Sequence, residues 1–212
     1  IVMSVMNGFR IDLTNRIIGL NSHLNIYSFD NEITNKQADL LILNIDNSFF
    51  YQHYKSIETN GLIIKSNNSK GVMIKGYDRY DKNHYLFNSI DMGVLIQNPK
   101  SEILIGDSLA NEMNLSVGDK VKIAIPKTDK TILGNIPRFK TLEVVGVFDL
   151  GLYEYDSNLI FLSSELVRKL LLYDVDIYNK IEFFTSSPNE IELFKNKVEL
   201  EDSVEPIISE IF

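Results

Sequence analysis

Lys120-Val-Lys-Ile-Ala-Ile-Pro-Lys-Thr-Asp-Lys-Thr-Ile-Leu-Gly-Asn-Ile-Pro-Arg-Phe-Lys-Thr-Leu-Glu-Val-Val-Gly-Val-Phe148 reads as strand, projection, strand. Lys120–Ile125 and Thr141–Phe148 alternate with the two-residue period of a half-buried strand. Between them, Pro126 and Pro137 bracket a loop whose crest is Ile132-Leu133-Gly134. Proline fixes φ and donates no N–H, so the pair is expected to block continuation of the ladder and hold an ordered loop. Large aliphatics at a loop crest suit a contact surface, unless they fold back onto the sheet. Ile136 adds a further apolar side chain beside the second proline.

Charge sharpens this reading. Lys120, Lys122, Lys127, Lys130, Arg138 and Lys140 are answered between 120 and 140 only by Asp129, on a chain of 212 residues and net charge −8. The loop and its base form a positive island suited to steering an acidic partner. The overall acidity argues against a nucleic-acid partner, which needs a basic face. The length supports one large domain or two small ones. There is no cysteine, hence no disulfide framework or thiolate metal site. No apolar run is long enough to span a bilayer. The start, Ile1-Val-Met-Ser-Val-Met6, and the end, Ile211-Phe212, read as cuts in mid-pattern, as if a soluble domain lay between two flanking segments; a cleaved signal peptide is the alternative for the first.

Outward from the loop, two grammars alternate. Val2, Val5, Met6, Phe9, Leu13, Ile17 and Leu20 have helical spacing. His23–Phe29 alternates as a strand, 30–38 reads as a polar loop, and Leu40–Leu43 as a strand buried on both faces. Ser48 is expected to cap a helix through Glu58 that Gly61 ends. Leu62–Ser66 and Gly71–Gly76 are strands. After Tyr77 the elements shorten: a helix near Leu86–Ile90, a strand at Glu102–Ile105, a helix at Ser108–Asn114, a strand at Asn158–Leu162, and a helix capped by Ser163 through Leu172. Lys180–Thr185 is again a strand. Ser187-Pro188-Asn189-Glu190 is a capping box opening a helix to about Val198, and Ser203–Ile208 starts another. The fold class is α+β: one α/β domain built from both ends of the chain, with a β-rich subdomain inserted.

One motif suggests catalysis. Gly106-Asp107-Ser108-Leu109 follows a strand directly and resembles the first block of GDSL hydrolases, with Asp81-x-x-His84 echoing their last block. The order is reversed, since His23, His53 and His84 all precede the serine, and a capping role for Ser108 needs no further assumption. The histidines lack an i,i+4 partner, so no metal site is expected. No phosphate-binding Gly-x-x-x-x-Gly-Lys-Ser/Thr loop occurs, and no cofactor is expected.

Val2-Met-Ser-Val-Met-Asn-Gly-Phe-Arg10, Leu13 with Asn15-Arg-Ile17 and Gly19, Lys70–Gly76, Ile105–Ala110, Leu115–Val121 and Gly134-Asn-Ile-Pro137 occur in order. In these the chain resembles, over nearly its whole length, the lipoprotein-releasing ABC transporter permeases of LolC/LolE type. The resemblance implies a MacB-like periplasmic domain of an inner-membrane protein, with a split α/β Porter subdomain (1–78 and 173–212) and an inserted β-rich Sabre subdomain (79–172). It implies a second permease subunit, a separate cytoplasmic ATPase, lipoprotein cargo and a periplasmic LolA-like chaperone, the domain itself being non-catalytic. By position the family's chaperone-binding hook falls on 126–137, comprising Pro126, Ile132, Leu133, Gly134, Ile136 and Pro137. The pad beside it falls on Lys122, Phe139 and Lys140, where LolC has arginine, glutamine and arginine. Lysine keeps the charge without the bidentate fork, and Phe139 cannot make an amide's hydrogen bonds. The alternative is a force-transmitting or gating domain of a MacB-type exporter without chaperone docking.

Overall fold

The computed structural model describes residues 22–27, 32–45, 49–131, 134–185 and 207–208. The expected N-terminal helix, the capping box at 187–190 with its helix, and the loop crest Ile132-Leu133 lie outside these residues. Contacts divide the chain into two compact units, one from the two ends (up to Lys55 and from Tyr178), the other Ser56–Ile177.

In the first unit, β1 (Leu24–Tyr27) is paired antiparallel to β11 (Lys180–Thr185) on one edge and to β12 (Ile207–Ile208) on the other. Alternation puts Leu24, Ile26, Ile181 and Phe183 on one face, where they join Ile33, Ala38, Ile45 and Phe50 in a buried core. That core includes Ala38 of α1 (Asn35–Asn44), whose N-terminus carries a capping box. Gln37 N–H donates to Thr34 Oγ1, while the Gln37 amide oxygen accepts the Thr34 N–H at 2.9 Å.

Several expectations are corrected here. Leu40–Leu43 is helical, not a buried strand, and 30–38 is in part the start of that helix; Leu40 and Leu43 are exposed. The Thr34-x-x-Gln37 cap outweighs the short apolar run. The helix expected from Ser48 to Glu58 is instead the first part of β3 (Phe50–Lys65), and Gly61 lies inside that strand. Phe50 and Tyr54 favour the pleated surface, and a Cβ on Gly61 would stand 2.6 Å from Ile74 Cδ1. Ile207-Ile208, expected in a helix, pairs with β1 as a strand.

The second unit contains a closed ring of six strands. β3 pairs antiparallel with β4 (Asn68–Tyr77) across a tight turn in which Ser66 has φ +54°. β4 runs parallel to β9 (Leu159–Ser163), β9 antiparallel to β6 (Glu102–Gly106), and β6 parallel to β8 (Gly134–Phe148). β7 (Lys120–Thr131) closes the circle by pairing antiparallel with both β8 and β3. Within the ring each of these six strands is paired on both sides. β5 (Ile90–Gly93) adds to the other side of β8. Ile63 and Ile123, opposite one another, are fully buried, as are Ile57, Ile74, Ile103, Ile105 and Val144.

Three short helices pack on the ring: α2 (Asp107–Met113), α3 (Tyr153–Asn158) and α4 (Ser164–Leu171). Ser163 caps α4 as expected, its Oγ accepting the Leu166 N–H at 3.1 Å. The helix expected near Leu86–Ile90 is a 3-10 turn, Tyr85–Ser89, capped by His84.

Candidate docking site

The arm is continuous with the two strands that carry it. β7 and β8 pair regularly from Lys120↔Glu143 to Ile125↔Arg138, break, and pair again from Asp129↔Ile136 to Thr131↔Gly134. The break sets 126–128 of β7 against Pro137 alone. The prolines therefore interrupt the ladder and do not end it, which corrects the expected loop to a β-ribbon with an irregular waist. Each proline removes one donor, and a bulge absorbs the loss.

The ribbon extends beyond its neighbours. β3 pairs with β7 only at Ile64↔Lys122, Ile63↔Ile123 and Leu62↔Ala124, and β6 meets β8 only from Glu143 onward. Among the described residues from Ile125 to Arg138, the two strands have only each other as ladder partners. Two-stranded ribbons are marginal alone, so this one depends on its root.

The root is pinned by charge. Asp119 precedes β7 in a turn where Gly118 has φ +94°, a conformation glycine adopts without penalty. Lys65, at the end of β3, reaches Asp119 Oδ2 at 2.8 Å, and the Ser116 N–H donates to the same oxygen at 2.9 Å. The Lys65 hydrogen bond, then that of Ser116, holds the Asp119 carboxyl below its ordinary value. Gly118 N–H to Val144 O (2.8 Å) and Val144 N–H to Asp119 O (2.9 Å) tie the turn to β8.

Of the candidate pad residues, Lys122, Phe139 and Lys140 are all exposed, but they are not on one face. Phe139 pairs with Ala124 and Lys122 with Thr141, so the two-residue period sets Phe139 and Lys122 on the same side. Lys140 pairs with Ile123 and stands on the other side. The six hook residues 126, 132–134, 136 and 137 belong to the arm or its crest by sequence position; the backbone register places Gly134 opposite Thr131 and Ile136 opposite Asp129.

The hydrolase-like motif has a structural account. Gly106 is the N-cap of α2 and Ser108 lies inside the helix, so the expected cap by Ser108 is corrected. Gly106 is bare because a Cβ would sit 2.1 Å from the Asp156 carbonyl oxygen. Asp156 accepts the N–H groups of Leu150 (2.8 Å) and Leu152 (3.0 Å), fixing the loop into α3. The Asp81-x-x-His84 spacing is a turn, closed by His84 N–H to Asp81 O at 3.0 Å. His84 accepts the Leu86 N–H and lies among Tyr77, Tyr80 and Tyr85. Among the described residues no group of three or more His, Cys, Asp or Glu is placed to hold a metal, and no helix is long and apolar enough to cross a membrane.

No family model matches the chain. The lipoprotein-releasing system transmembrane protein LolC of Neisseria meningitidis serogroup B is 25% identical over 185 residues, covering 84% of this chain and 43% of that protein. LolC of Xylella fastidiosa strain 9a5c is 24% identical over 176 residues, 81% of this chain and 42% of that protein. The chain thus spans less than half the length of these relatives. Among solved structures, the extracellular domain of the noncanonic ABC-type transporter YknZ from Gram-positive bacteria superposes with a TM-score of 0.53 at 14% identity, covering 82% of this chain and 88% of that one. The periplasmic region of MacB from Actinobacillus actinomycetemcomitans gives a TM-score of 0.53 at 14% identity, covering 87% and 86%. The fold is that of the MacB-like periplasmic domain, and the resemblance to LolC-type permeases is borne out by these relatives.

Proposed function

We propose that this chain is the periplasmic domain of a lipoprotein-releasing ABC transporter permease in the inner membrane, and that its β7–β8 arm docks a periplasmic chaperone of the LolA type. The observation that carries this reading is the ribbon itself: among the described residues between Ile125 and Arg138, β7 and β8 pair in the ladder only with each other. A ribbon of two strands alone is marginal and costs conformational entropy to order, so contact with a partner is its most economical use.

In this account the crest, Ile132-Leu133, supplies the apolar tip that enters the chaperone. Lys122 steers the partner's acidic rim and Phe139 gives it an apolar seat on the same face, while Lys140 acts from the opposite side. The domain carries out no chemistry. Energy comes from a separate cytoplasmic ATPase, cargo from the membrane, and a second permease subunit completes the transporter. The inserted subdomain that bears the arm corresponds to the family's Sabre, and the ends of the chain to its Porter.

The test is a calorimetric titration with a purified LolA-type chaperone. The unaltered chain binds. Ile132→Asp with Leu133→Asp weakens binding by at least about tenfold, a loss of roughly 1.4 kcal/mol, with unfolding temperature unchanged. Equal affinity in the double variant removes the arm from the mechanism. No binding by the unaltered chain favours a gating domain of a MacB-type exporter.

A further inference from the structure

Two carboxyl groups meet where β8 hands the chain to α3. Asp149 directly follows β8, Asp156 lies in α3, and a hydrogen bond joins their side chains. Asp156 is only 3% exposed. Its Oδ1 accepts the Leu150 N–H at 2.8 Å and its Oδ2 the Leu152 N–H at 3.0 Å. Asp149 Oδ1 accepts the Gly151 N–H at 2.7 Å, and Gly151 has φ +72°, which costs glycine little. Three successive N–H groups of the turn thus point at two acids. Other elements are tied in at the same place. Asp149 N–H donates to Ser89 O at 2.8 Å, just before β5, and the Asp156 carbonyl fills the space beside Gly106 at the start of α2.

A hydrogen bond between two carboxyl groups needs a proton, because two carboxylates offer only acceptors. Without it, two negative charges face each other beside the buried Leu150, where solvent screens them weakly. The charged groups on the elements packed against α3 are engaged elsewhere. Glu112 of α2 is held by Lys70 of β4 and by Tyr153, and Asp107 accepts the Asn111 amide at 3.0 Å. Glu102 of β6 accepts the Gln97 and Asn98 N–H groups, and Lys75 of β4 lies 3.9 Å from Glu58. Glu154 of α3 and Asp91 of β5 are exposed. Among the described residues, Asp149 is the charged group that acts on the Asp156 carboxyl. Burial pushes that carboxyl above its ordinary range, the Leu150 and Leu152 N–H groups oppose the rise, and the charge of Asp149 adds to it.

We propose that Asp149 and Asp156 form a proton-operated clasp at the end of β8 opposite the arm. With a proton held between them, the turn 149–152 closes on α3. Without it, like charges loosen the turn and the start of β5 that is anchored to it through Ser89. A carboxyl whose folded value is raised favours the folded form when protonated. The clasp is therefore fully closed below the usual aspartate value, about pH 4, and is released as pH rises through the folded value. This does not depend on what the arm binds.

The test follows the carboxyl carbon signals of the 212-residue chain by NMR across pH, with amide exchange read at Leu150 and Leu152. The Asp156 carboxyl is expected to titrate above the ordinary aspartate range. Protection of both amides falls severalfold as pH rises through the same value. Asp149→Asn keeps an oxygen for the Gly151 N–H and supplies an amide proton to Asp156 at every pH. In that variant the Asp156 titration moves down, protection of the two amides no longer changes with pH, and the unfolding temperature at neutral pH is equal or higher. Titration of Asp156 in the ordinary range overturns the clasp. So does a pH-dependent loss of protection that Asp149→Asn leaves unchanged. A variant that fails to fold, or unfolds at lower temperature at neutral pH, also overturns it, since removing one of two like charges must not weaken the turn there.

Discussion

Asp119 shows how a single half-buried carboxylate positions a structure far longer than itself. Its hydrogen bonds from Lys65 and Ser116 join the end of β3 to the turn that launches β7. Its folded-state ionisation lies below the ordinary value. The stability it contributes is therefore present above the usual carboxylate range, about pH 4, and lost as pH falls through the folded value. Asp119→Asn is expected to unfold at lower urea than the unaltered chain at pH 7, with the two curves converging as acid protonates the carboxyl; a constant gap would contradict the assignment. The role of Asp119 was not legible in the sequence, because its partner Lys65 lies 54 positions away. The positive island was legible, whereas its division between two faces was not. Lys122 and Lys140 look equivalent until the register sets them on opposite sides of the ribbon.

At the scale of elements, local signals decided most of what could be read. Ser163 before Ser164-Glu165-Leu166 is a cap in sequence and in structure. Ser163→Ala is expected to cost about 1 kcal/mol in chemical denaturation, and no measurable loss would show that packing alone holds α4. The failures have equally local causes. Leu40–Leu43 carries a strand-like apolar run, but the Thr34–Gln37 capping box upstream starts a helix that absorbs it. Phe50-Tyr51-Gln52-His53-Tyr54 was hidden by the capping potential of Ser48, although Phe50 packs 5.2 Å from the ring of Phe183. The two prolines, taken as ends of a ladder, mark its waist, since pairing resumes at Asp129↔Ile136. A proline pair signals lost donors but not whether hydrogen bonding starts again beyond them.

For the whole molecule, the ring could not be anticipated from periodicity. Its closure depends on three rungs between β3 and β7, contacts between residues about 60 positions apart that leave no local trace. The division of the chain into a unit built from both ends and one between them falls at Lys55 and Tyr178, the first inside β3, where no change of local pattern marks it. The arm's function lies in what it touches. It is tested most directly by placing a photo-crosslinking residue at position 133 in this chain and mixing it with a LolA-type chaperone. One dominant adduct is expected, mapping by mass spectrometry to the chaperone's interior. Adducts confined to the chaperone's outer surface, or none while the same label elsewhere on the domain crosslinks, would contradict it.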